Sequence, residues 1–277
     1  MNMQLELILS SLLLPLVLSL ILASLTGHRG RKGGWKSGLG LLLAYLPSYL
    51  WIAGIPSLPP ARALGWIGFI GIGSLAVMAV INLPKSGPGK RLIVLVSAFS
   101  ASIILLSLPI LRYGFSLLLA AELAVFLAVW VGLGLLVLQP TGNKSVPLSI
   151  TGAGFALAAA LGGSLLIGQL TGALAAALGG FALHELISRK ERLTLNAEAS
   201  LVSVSLLGCI VLVGWQYAEI PSLPLISIFV GSVAGLFMFK RHGRGWRFIS
   251  LNVLAMSIPM FFGLVWMVMT SDSSGYY

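Results

Sequence analysis

Glu122 stands in apolar sequence, with residues 117–121 before it and 123–130 after it, none of them charged. A carboxylate in hydrocarbon is costly unless it is protonated, paired or facing water. A carboxyl group that exchanges a proton at that depth would suit a coupling or binding site. The structural reading of the same residue is a neutral glutamate bonded to a neighbouring helix, or one reaching back to the outer surface.

His184 and Glu185 open the run HELISRK. A histidine titrates near neutral pH and binds metals. The zinc-protease pattern HExxH is not completed, because Ser188 stands where the second histidine would be. His28 and His242 fall on the same expected side as His184, but no spacing requires a metal. Asn82 and Asn252 are amides in or near apolar segments, where bonding across helices is the commoner use. Glu122, His184, Glu185, Asn82 and Asn252 are thus the candidate binding or proton-coupling residues.

Much chemistry has no residues to carry it. There is no phosphate-binding GxxxxGK[ST] loop and no GxSxG nucleophile elbow. No aspartate cluster or paired intrahelical histidine is found. Cys209, the one cysteine, excludes an internal disulfide and a thiolate metal cage. No catalytic residue, metal or cofactor is expected.

The elements that must position these residues follow from composition. Of 277 residues, 58% are hydrophobic and 9% charged. A soluble domain carries about 25% charged residues, so lipid must solvate most of this surface. Crossing a bilayer takes about 20 apolar residues. Such runs occur at 5–26, 38–57, 63–83, 91–110, 114–138, 147–167, 170–187, 199–217, 222–239 and 248–269. The expected fold is an all-α bundle of ten spans in one membrane domain over residues 1–277. Only Gly168 and Gln169 separate the sixth and seventh runs, so nine spans with one long bent helix is the alternative.

Loop charge orients the bundle. Of the 17 lysines and arginines, 15 follow odd-numbered spans and two, Arg62 and Arg112, follow even-numbered ones. Cytoplasmic loops carry the Lys/Arg excess, which puts both termini outside. The first six residues hold no basic group, so the first span reads as a retained anchor. The +10 charge is explained by these loops, with no call for nucleic acid. Tryptophans and tyrosines near the span ends match an interfacial belt.

Two internal repeats stand out. ALAAALGG occurs at 156–163 and again at 173–180. These small residues let helix backbones approach in lipid, which predicts a tight hairpin of spans six and seven near the interior. IPSLP occurs at 55–59 and 220–224. With similar flanks, it suggests a four-plus-two-plus-four plan, spans one to four related to seven to ten in parallel. Pro15, Pro47 and Pro259 lie inside spans and should kink them.

The functional expectation is a small-solute permease, or the membrane subunit of one, in a bacterial inner membrane. The alternative is a non-catalytic scaffold or assembly subunit. The expected partners are the lipid bilayer and other membrane subunits.

Overall fold

The computed structural model describes residues 3–26, 34–82, 87–139, 144–188, 195–238 and 246–271. They form ten helices. The first, α1, spans residues 3–26 as Met3–Ile8, a π-helical turn Leu9–Leu13, and Leu14–Thr26. The others are α2 (Gly34–Ala53), α3 (Ala63–Ile81), α4 (Pro88–Tyr113), α5 (Leu117–Val137), α6 (Ser145–Leu161), α7 (Leu165–Ser188), α8 (Ala197–Tyr217), α9 (Ser222–Met238) and α10 (Trp246–Ser271). Seven are long and apolar enough to cross a membrane. The exceptions are α2, α6 and α9, the last two being only 17 residues long.

The π turn has a cause in the sequence. Pro15 lacks an N–H, and its ring would clash with the carbonyl of Ser11 one turn earlier. Widening the helix just before the proline relieves that conflict. The hydroxyls of Ser10 and Ser11 bond the carbonyls of Glu6 and Leu7 across the same stretch.

The sixth and seventh runs are two helices, but the break differs from the one expected. It lies at residues 162–164, and Gly168 and Gln169 are inside α7. Gly163 takes a left-handed φ of 83°. The Ser164 amide bonds the Ala159 carbonyl at 2.9 Å, and the Gly163 amide bonds Ala160 at 3.2 Å. This is a glycine-terminated Schellman stop. The pair packs closely, as the small residues predict. A Cβ on Gly152 would meet that of Ala175 at 3.0 Å, and one on Gly168 would meet the Ala156 carbonyl oxygen at 3.1 Å.

At the centre stands α8, with every residue from 199 to 214 buried. It packs against α2, α3, α4, α5, α6 and α7. Trp130 of α5 lies on Gly208, stacks on Phe99 of α4 at 4.5 Å, and donates its indole N–H to the Val204 carbonyl at 2.9 Å. The aromatic contacts continue from Trp130 to Phe126, Phe229 and Phe155, which join α5, α9 and α6. Helices α9 and α10 form a peripheral pair held chiefly on α6.

The two sets of four helices named by the IPSLP repeat are packed differently. In the first set α2 lies against α3. In the second, α8 is drawn into the centre, while α9 turns to α10 and α6.

Candidate functional site

One end of the bundle is closed by side-chain bonds between helix termini. Glu185, near the end of α7, accepts from the Ser145 hydroxyl at 2.7 Å and from the Leu195 amide. It therefore ties the start of α6 to the lead into α8. Asn196 caps α8 by accepting from the Ala199 amide at 3.0 Å, and the Ser37 hydroxyl of α2 donates to the same oxygen. Asn82, at the end of α3, donates to Glu198 at 2.8 Å. The helix ends gathered here flank four of the five basic connections, those after α1, α3, α5 and α7.

Lys144 is the unexpected member of this end. Read as a loop charge, it is in fact 6% exposed. Its ammonium donates to the Val137 and Gln139 carbonyls at 2.6 Å each, closing the C-terminus of α5. A cation there answers the unsatisfied carbonyls and the negative end of the helix dipole. Burial pushes its pKa down to about 8, against a smaller upward pull from Glu198. Nothing in a lone lysine between two apolar runs marks it for burial.

The sequence-predicted residues are not brought into one site. Glu185 and Asn82 share the bonded end, bound to different partners, and His184 is half-buried beside Glu185. His28 and His242 lie outside the described residues. Asn252 of α10 is buried, and its amide nitrogen has no hydrogen-bond partner among the described residues. Glu122 is exposed on α5. It lies one turn from Phe126, towards the start of the helix, and makes no side-chain bond among the described residues.

The opposite end holds a cleft of about 270 Å³. Its walls are the end of α2, the connection 54–62 with Arg62, the start of α3, and Leu166 of α7. Tyr49 lines it and donates to the Leu64 carbonyl at 2.8 Å. Behind Tyr49, its ring 6.0 Å away, is Tyr45, wholly buried beside Cys209 of α8. Neither the Tyr45 hydroxyl nor that of Ser48, also wholly buried, has a hydrogen-bond partner among the described residues. Buried hydroxyls are normally paired, and leaving one unpaired costs about 1–3 kcal/mol. A helical serine commonly bonds the carbonyl four residues back; Ser48 does not. Neither residue is among those whose type and spacing single them out in the sequence. The signal available was the stripe Leu41, Tyr45, Ser48 at helical spacing, two polar groups on a face that is otherwise core.

No protein-family model matches the sequence, and no curated protein matches it.

Proposed function

We propose that the chain is a multi-pass membrane protein that carries a small solute, alone or as the membrane subunit of a carrier. In this reading the basic connections face the cytoplasm and both termini face out. The observation that supports it is the pair of hydroxyls, Tyr45 and Ser48, that have no partner among the described residues and lie in the bundle interior near a cleft walled by Tyr49. Two hydroxyls that forgo internal bonds are free to bond a passing polar solute or its water. Small-molecule sites have this form, mostly apolar walls with a few placed polar groups. Tyr49, bonded to Leu64, separates cleft from interior.

Cys209 provides the test, since it is the only cysteine and lies beside Tyr45. A charged, membrane-impermeant thiosulfonate is applied to proteoliposomes. Under this reading Cys209 reacts slowly from the cleft side, and Tyr49→Ala speeds the reaction about tenfold. Tyr49→Phe, which loses only the bond to Leu64, gives a smaller rise. Unreactive Cys209 in all three proteins, with full labelling of Ser57→Cys in a Cys209→Ser chain, sinks the reading.

A second reading, a non-catalytic assembly subunit, is favoured by the continuous burial of α8 from 199 to 214. It is what remains if Cys209 stays unreactive.

A further inference from the structure

The α4–α5 hairpin carries two opposite charges on its exposed face. Arg112 ends an exposed stripe of α4 that includes Ile104 and Leu108. Glu122 belongs to an exposed stripe of α5 with Leu118 and Val125. The α4 stripe repeats at four residues and the α5 stripe at four and three, the spacings at which one helix seats another. Neither charge makes an ion pair or side-chain hydrogen bond among the described residues.

The two charges lie at similar depth. Arg112 is one residue from the end of α4, and Glu122 is five residues into α5. At a rise of 1.5 Å per residue, they differ by about 6 Å along the bundle axis. Long arginine and shorter glutamate side chains span such an offset. Lipid offers Glu122 no partner, and an isolated acid in hydrocarbon is expensive.

We propose that this face is where a second copy of the chain docks, about a two-fold axis along the membrane normal. In such an interface the same patch serves both copies. The α4 stripe of one copy lies against the α5 stripe of the other, antiparallel. Arg112 of each copy then meets Glu122 of its mate, and both acids and both cations are satisfied at once. A second copy supplies both counter-charges from the same patch. The proposal does not depend on solute transport.

The test uses two differently tagged full-length chains co-expressed in one membrane, both with Cys209→Ser. One carries Ile104→Cys and the other Val125→Cys, and the membranes are oxidised. A disulfide product bearing both tags is expected. Glu122→Gln or Arg112→Gln should each cut its yield about tenfold, the effect of losing roughly 1.4 kcal/mol. The exchanged pair Arg112→Glu with Glu122→Arg should restore it. Absence of the product, or a yield indifferent to Glu122→Gln and Arg112→Gln in well-folded chains, overturns the proposal and leaves the face to lipid.

Discussion

Gly208 of α8 takes the Trp130 ring of α5 directly against its backbone, and its replacement by alanine has a calculable cost. An alanine Cβ would lie 2.1 Å from Cε2 and 2.4 Å from Nε1 of Trp130. Neither group can yield cheaply. Gly208 is in the middle of α8, and Trp130 is 1% exposed, stacked on Phe99 and bonded to Val204. Overpacking a core costs about 1–3 kcal/mol. Pulling the indole N–H off its carbonyl adds about 1–3 kcal/mol for the polar groups left buried. Gly208→Ala should therefore cost about 3 kcal/mol. At roughly 2–4 °C per kcal/mol for a chain of this order of size, the melting midpoint falls by about 6–12 °C. The loss of helical circular dichroism on heating the detergent-solubilised protein reports it directly. Trp130→Leu removes the atoms that clash, so the double variant should lose clearly less than the sum of the singles. An unchanged midpoint in Gly208→Ala, or strict additivity, refutes the packing argument.

Other perturbations have equally definite outcomes. Glu185→Ala removes the acceptor shared by Ser145 and Leu195 and should cost about 3 kcal/mol in the same melting assay, whereas Glu185→Gln keeps one acceptor oxygen and loses less. Equal losses would contradict the two-partner role. Lys144 has a folded pKa of about 8 against an ordinary 10.5. Below pH 8 both states hold the proton and the cost of the buried cation is fully present. Between 8 and 10.5 the unfolded chain binds more protons, so stability rises with pH. Intrinsic-fluorescence melting should show that rise in the native chain and lose it in Lys144→Met; parallel curves would count against the burial. Gly163→Ala places a side chain at φ 83° and should lower the melting midpoint by the equivalent of about 1–2 kcal/mol. A neutral result would mean the stop between α6 and α7 tolerates a side chain.

What could be read from sequence was whatever lipid enforces. Apolar runs must be helices because unpaired backbone is too costly in hydrocarbon; among the described residues ten helices appear where ten runs stood, seven of them long and apolar enough to cross a membrane. The alternation of basic connections anticipated which helix ends come together, and Ser37, Asn82, Lys144 and Glu185 gather accordingly. Small residues announced the α6–α7 contact. The exact stop was misplaced, because three glycines and a serine lie within seven residues and only backbone conformation singles out Gly163. The centrality of α8 was not legible, since its composition resembles that of its neighbours and burial among equally apolar helices depends on packing. Single-residue prominence drew attention to Glu122, which the fold turns outward. Tyr45 and Ser48 escaped notice because hydroxyls are unremarkable in membrane helices until their partners are known.

The proposed topology puts the helix ends that flank the basic connections on the cytoplasmic face of a bundle that crosses the membrane repeatedly. In a Cys209→Ser chain, Ser57→Cys lies in the connection between α2 and α3, and Ser37→Cys lies near the bonded end. An impermeant maleimide added to intact cells should label position 57 at once and position 37 only after permeabilisation. Labelling of both from outside, or of 37 alone, would contradict the arrangement.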